Sequence, residues 1–236
     1  MKNTPSQLTK IIISILVFFS ICQSVYAQAP DPTRFEQSIQ KFENQDAIKM
    51  PPKGAIVLTG SSSIKMWNNK VHADLAPLTV ISRGFGGSNM NDLLHYIDRV
   101  AIKYQPRAIL IYEGDNDTAL SPPIPKAKIL SQLKQVISKV RSTLPDTRFY
   151  LLSVKPSILR HSLWPLAVDV SRGFKAIADT DPLIYYVDVA TPLLQPEGEV
   201  MDDIFIKDNL HLNNKGYQIW GQTIKAALMP IEAQYE

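Results

Sequence analysis

Apolar positions along this chain fall into two alternating patterns. Five short runs carry nearly continuous apolar side chains: Ala55 to Thr59, Thr79 to Ser82, Ala108 to Tyr112, Arg148 to Val154 and Leu183 to Val187. Runs of that length predict strands, and those without polar alternation predict strands covered on both faces. Between them, apolar residues recur at helical spacing. The stripes Phe35, Ile39, Phe42 and Leu94, Ile97, Ala101 predict helices over Asp31 to Gln45 and Asn91 to Tyr104. Ile129, Leu133, Val136, Ile137 and Val140 predict a long helix over Lys126 to Leu144. Two more are predicted over Leu166 to Asp179, weakened by Gly173, and over Asn213 to Leu228, with Asn213 or Asn214 as its cap. Strands alternating with helices predict βαβ units: an α/β protein with a parallel sheet and helices on both faces.

The first residues follow another rule. Met1 to Lys10 carries Lys2 and Lys10 and no acid, Ile11 to Ile21 is apolar, and Val25-Tyr26-Ala27 ends on a small residue. This is the order of a secretory signal, so residues 1–27 are expected to be removed and the product exported, periplasmic or extracellular. At about eleven residues the apolar run is short for a bilayer span, so no stable membrane span is expected after cleavage. The rest, 28–236, suits one domain with a full core. The net charge of +3 falls by two when Lys2 and Lys10 leave, so no basic excess remains to hold nucleic acid. Cys22, the only cysteine, leaves with the same segment, and with it any disulfide or cysteine metal site.

The candidate chemistry lies at the strand ends. In an open parallel sheet, ligands bind beyond the carboxyl ends of the strands. Gly60-Ser61-Ser62-Ser63, Gly84-Phe85-Gly86-Gly87-Ser88-Asn89 and Glu113-Gly114-Asp115-Asn116-Asp117 end the first three strands. Asp208-Asn209-Leu210-His211 precedes the last helix, which can return it to the same edge. Together these segments supply a hydroxyl, an imidazole and a carboxylate. Ser62 is the candidate nucleophile at a strand-to-helix turn, His211 its base and Asp208 the group that orients the imidazole. The backbone N–H groups of Ser62 and Gly87 and the amide of Asn116 are candidate donors to an oxyanion.

Each segment also has a plainer reading. The serines could cap a helix, Asn116 and Asp117 could form a turn, Asp208 could cap or turn, and His211 could be an ordinary surface or core histidine. Gly84-Phe85-Gly86 begins a dinucleotide fingerprint, but Asn89 stands where its last glycine belongs. His72, His95 and His161 lack metal-ligand spacing, so neither a metal nor a cofactor is expected. Asp202-Asp203 or Asp115 with Asp117 could suggest a glycosidase, with nothing sugar-specific beside them. Ile64 replaces the last glycine of the Gly-x-Ser-x-Gly elbow, which argues against an ordinary α/β-hydrolase.

Taken together, the four segments resemble the SGNH, or GDSL-type, hydrolase family. Gly60 to Ser63 looks like its Gly-Asp-Ser-Leu block, with Ser61 in place of Asp, and Trp67 matches a Trp often found shortly after that serine. Arg83 to Gly87, Gly114 to Asp117 and Asp208-x-x-His211 match the other blocks. The resemblance implies a three-layer α/β/α sandwich on a five-stranded parallel sheet in flavodoxin-like order. It implies ester hydrolysis through an acyl-enzyme, with Ser62, His211 and Asp208 catalytic and Ser62, Gly87 and Asn116 forming the oxyanion hole. The substrate is expected to be a small-molecule, glycan or lipid ester, with a lean to short acyl groups such as carbohydrate acetyl esters. Lysophospholipase, lipase or acyltransferase activity, or a non-catalytic envelope binding protein, are the alternatives. The segment Pro156 to Pro165 is expected to border the site, with Leu163 and Trp164 as pocket or core residues.

Overall fold

The structure, a computed structural model, describes residues 29–236; the proposed signal segment lies outside the described residues. Five strands form one sheet: β1 (Ile56–Gly60), β2 (Val80–Gly84), β3 (Ala108–Tyr112), β4 (Arg148–Leu152) and β5 (Ile184–Val187). All pair in parallel in the order β2-β1-β3-β4-β5, the flavodoxin-like order. Each crossover requires a long connection, and helices supply it.

Strand residues alternate between two apolar cores, which is why the runs lack polar positions. Val57, Ile81, Ile109, Ile111, Phe149 and Leu151 face α1 (Glu36–Ile48), α4 (Met90–Val100), α6 (Lys126–Arg141) and α7 (Trp164–Ala178). Ile56, Leu58, Leu110, Tyr112 and Leu152 face the other way, toward α2 (Ser62–Trp67), α3 (Val71–Asp74) and α8 (Asn214–Glu232). The result is a three-layer α/β/α sandwich. The remaining helix, α5 (Asp115–Ala119), follows β3 directly at the carboxyl edge of the sheet.

Several boundaries depart from the sequence reading, each for a local reason. The first predicted helix opens as a 3-10 turn, Pro32–Phe35, with Asp31 accepting from the Thr33 N–H. The second divides at Ala101, where α4 ends and a 3-10 turn, Ile102–Tyr104, closes on the left-handed Gln105. The fourth strand stops at Leu152 rather than Val154. Beyond it, the Ser153 hydroxyl accepts from the N–H groups of Val189 and Ala190, so side chain replaces ladder. The last helix runs on to Glu232 despite Pro230. Asn213 caps it, accepting from the Gly216 N–H at 3.1 Å.

Candidate active site

β1 ends on Gly60, whose φ of +138° is open chiefly to glycine; a Cβ there would lie 2.1 Å from the Tyr112 carbonyl oxygen. The chain turns from this residue into α2. Ser61 occupies the cap position without a side-chain capping bond, and Ser62 is the first helical residue. The Ser62 backbone N–H therefore has no partner within the helix. Its hydroxyl is held by a histidine: His211 Nε2 lies 2.8 Å from Ser62 Oγ.

Aromatic packing fixes α2 beneath this contact. Trp67, 1 % exposed, stacks on Tyr217 and tilts against Trp220, both from α8. The Tyr217 hydroxyl donates to the Ser63 carbonyl at 2.8 Å, and Trp67 Nε1 donates to Asp74 at 2.7 Å. Such aromatic pairs contribute about 0.5–1.5 kcal/mol each beyond their buried area. The helix that begins with Ser62 is thus gripped by the helix that follows His211.

His211 sits on a tight loop that the chain builds from its own polar groups. Asn209 adopts φ +56°, the left-handed conformation that asparagine tolerates. Asp208 Oδ1 accepts from the N–H groups of Leu210 and His211, both at 2.9 Å, and so closes the turn. Its other oxygen, Oδ2, lies 2.6 Å from His211 Nδ1. Burial alone would raise the Asp208 pKa, but the hydrogen bonds from the His211 ring and the backbone N–H groups outweigh it and hold it at about 2. One carboxylate therefore shapes the loop and orients the ring. The turn reading and the functional reading of Asp208 describe the same side chain.

Two further segments close around the serine. After β2, Gly87 takes φ +90°. A Cβ on its neighbour Gly86 would lie 3.6 Å from Ser62 Cβ, so this backbone passes beside the hydroxyl-bearing carbon. After β3, Asn116 on α5 donates through Nδ2 to the Ser88 carbonyl at 2.8 Å. Asp117 ties the two segments together, accepting from the N–H groups of Met90 at 3.2 Å and Gly114 at 3.1 Å. Burial pushes its pKa up to about 7 against these hydrogen bonds. Glu113, also fully buried, accepts from the Ser88 hydroxyl at 2.6 Å; burial, then the charge of Asp117, push its pKa well above the usual carboxylate range.

The structure brings Ser62, His211 and Asp208 into one hydrogen-bonded relay, with Gly87 on the loop after β2 and Asn116 on α5 beside it. The loop after β4 adds residues that sequence reasoning did not single out. The Leu159 N–H donates to the Asn209 carbonyl at 3.0 Å, and buried Lys155 donates to the Leu210 carbonyl at 2.7 Å. Burial lowers the Lys155 pKa, while Asp115 at 3.7 Å opposes that shift. Arg160 reaches both Asp115 and Asn116. Leu163 and Trp164 are half-buried; Trp164 packs on the core and also lines a small cleft with His161, Ser157 and Glu199. Asp202 and Asp203 lie exposed, with Asp203 paired to Lys215. Among the described residues, no group of three or more His, Cys, Asp or Glu side chains is arranged to hold a metal ion, and no helix is long and apolar enough to cross a membrane.

The α/β/α sandwich thus holds a hydrogen-bonded hydroxyl, imidazole and carboxylate together at the carboxyl edge of its sheet. The chain belongs to the GDSL-like lipase/acylhydrolase family, whose sequence model matches residues 54–219, and it is accordingly an ester-bond hydrolase. Solved structures share the fold at low sequence identity. A GDSL-like lipase from Bacteroides thetaiotaomicron is 18% identical, with 81% of this chain and 97% of that one aligned at a TM-score of 0.71. A lipase/acylhydrolase from Enterococcus faecalis is 20% identical over 75% and 96% of the two chains, at 0.62. A catalytic mutant of an acetylxylan esterase from Geobacillus stearothermophilus is 14% identical over 75% and 94%, at 0.63. Among curated proteins, none matches the chain in sequence.

Proposed function

We propose that this chain is an exported serine esterase that removes short acyl groups, such as acetyl esters of carbohydrates, through an acyl-enzyme. The observation that carries the reading is the relay from Asp208 through His211 to Ser62, with contacts of 2.6 and 2.8 Å. In this mechanism His211 Nε2 takes the Ser62 proton as Oγ attacks the ester carbonyl carbon. The carbonyl oxygen becomes an oxyanion that accepts from the N–H groups of Ser62 and Gly87 and from the Asn116 amide. The intermediate collapses, the C–O bond breaks, and His211 returns the proton to the departing alcohol. Water, deprotonated by the same nitrogen, attacks the acyl-enzyme and releases the acid. Asp208 stays ionised throughout and stabilises the imidazolium.

Support for a short acyl group is the absence of an amphipathic lid-like segment in the sequence, together with the acetylxylan esterase among the structures of like fold. The export reading rests on the order of basic, apolar and small residues at the start of the chain. A second reading, a lysophospholipase or lipase, is favoured by one observation. Ile158, Leu159 and Ile206 expose apolar side chains on the loop after β4 and on the loop leading to His211. A panel of esters from acetyl to long-chain, including acetylated xylo-oligosaccharides and lysophospholipids, separates the two. Highest kcat/KM on the acetyl esters supports the first reading, and a preference for long chains replaces it with the second. Labelling by a fluorophosphonate that survives in Ser62→Ala would overturn the assignment of the nucleophile.

A further inference from the structure

Asn116 can serve an oxyanion only if its amide presents nitrogen and not oxygen, and the structure contains a side chain that decides this. Arg160 Nη2 donates to Asn116 Oδ1 at 3.0 Å. At the other end of the same amide, Nδ2 donates to the Ser88 carbonyl at 2.8 Å. One end thus faces a group that only donates and the other a group that only accepts. Turning the amide over would set NH2 against a guanidinium and oxygen against oxygen. Arg160 is itself held: Nη1 donates to the Asp115 carbonyl at 3.0 Å and to Asp115 Oδ1 at 2.5 Å, and its backbone N–H donates to Ser157 Oγ at 3.3 Å. Burial would raise the Asp115 pKa, but the charges of Lys155 and Arg160 outweigh it and keep the carboxyl ionised.

We infer that Arg160 is a positioning residue for the oxyanion amide: it fixes the orientation of Asn116 and, through a charge-assisted hydrogen bond to its oxygen, strengthens the remaining Nδ2–H as a donor. The amide nitrogen carries two hydrogens. One is engaged by Ser88, and the second is left for the oxyanion. Because the donor matters most when negative charge develops, the effect belongs to kcat and not to KM. Arg160 lies outside the four sequence blocks that carry the family resemblance. The inference rests on the esterase reading, because an oxyanion donor has meaning only there.

The test is a double-mutant cycle between Arg160→Gln and Asn116→Ala on a p-nitrophenyl ester. Loss of one oxyanion donor costs about 10²–10³ in rate, and misorienting it is expected to cost roughly tenfold to a hundredfold in kcat with KM within about twofold. In the Asn116→Ala background, Arg160→Gln should cost little more. Equal losses in both backgrounds, or a loss confined to KM, overturn the inference. Arg160→Lys, which retains a charge for Asp115 but lacks the fork, should lose kcat too, and full activity in this variant counts against it. The Asn116 side-chain amide resonances provide a readout independent of turnover. They should shift in Arg160→Lys while the thermal midpoint stays close to the parent's, and unchanged resonances overturn the inference. If Ser62→Ala leaves ester hydrolysis intact, the assignment of Ser62 as nucleophile fails, and with it the oxyanion site beside it, whatever the amide resonances show.

Discussion

At the scale of single residues, the division of labour within one carboxylate decides the most. Asp208 spends Oδ1 on the backbone of its own turn and Oδ2 on the His211 ring. Because its pKa is held at about 2, it is charged wherever the enzyme can be assayed, so no limb of the pH–rate profile in the usual range reports its titration. Asp208→Asn can still accept from the backbone N–H groups through its one oxygen, so the loop should survive. It lacks the charge that stabilises an imidazolium. We expect kcat to fall ~10³–10⁴-fold with a circular dichroism spectrum like the parent's; a loss below tenfold would show that the ring needs no such partner. Ser62→Ala and His211→Ala should each remove nearly all turnover, and the double variant should be no worse than either, because the two act as one unit. A further multiplicative loss on p-nitrophenyl acetate would contradict that unit. The candidates were legible in the sequence because Ser62 and Asn116 follow strands directly and Asp208 stands three residues before His211 on the segment that leads into the last helix. The roles of Arg160 and Lys155 were not, because a basic residue in a loop reads as a solvated one until its partners, Asn116 and the Leu210 carbonyl, are seen.

At the scale of elements, α8 carries the relay, since His211 lies just before it and Tyr217 and Trp220 grip α2. Its far end is anchored at the opposite edge of the sheet by one side chain. Glu232 is fully buried and accepts from Arg107 Nε at 3.0 Å, Arg148 Nε at 2.6 Å and the Tyr150 hydroxyl at 2.8 Å. Burial would raise its pKa, but the bonds from Arg148 and Tyr150 outweigh this and lower it. A lowered carboxyl contributes stability that is present above the unfolded value and lost as pH falls through the folded one. Glu232→Ala leaves the largely buried Arg148 guanidinium without its carboxylate partner, while Arg107 keeps Glu236 and the Gly54 carbonyl, and should cost about 3–5 kcal/mol in urea denaturation at neutral pH. Turnover per folded molecule should change little, because the site lies at the other edge; a loss below about 1 kcal/mol would refute the anchoring role. The long elements were readable because each repeats its period several times. The short helices α2, α3 and α5 were not delimited, since fewer than two turns carry no usable periodicity. They form because tertiary packing holds them, and two of the three bear Ser62 and Asn116.

At the scale of the whole molecule, the parallel sheet collects at one edge what the chain separates by 149 positions, the distance from Ser62 to His211. The same convergence buries acids. Asp92, Glu113 and Asp117 lie within the loops and helix ends behind the relay, and burial raises the pKa of all three. The Asp117 value, about 7, falls inside a practical range. In the unfolded chain an aspartate releases its proton near ~3.9. Between that value and about 7 the folded protein binds the extra proton, so this group's contribution is full below the unfolded value and is lost as pH rises toward 7. Asp208 and Glu232 have lowered values and are ionised in both the folded and the unfolded chain above about pH 5.5, so they add almost no slope there. Asp117→Asn keeps a neutral side chain at every pH. Its stability relative to the parent should therefore increase from pH 5 to pH 8, by up to about 1.4 kcal/mol per unit through the window. Changed hydrogen bonds to Met90 and Gly114 add an offset, but that offset does not vary with pH. Urea midpoints measured for both proteins at several pH values separate the two contributions, and a difference that stays flat from pH 5 to pH 8 would mean that Asp117 is already ionised in the folded state.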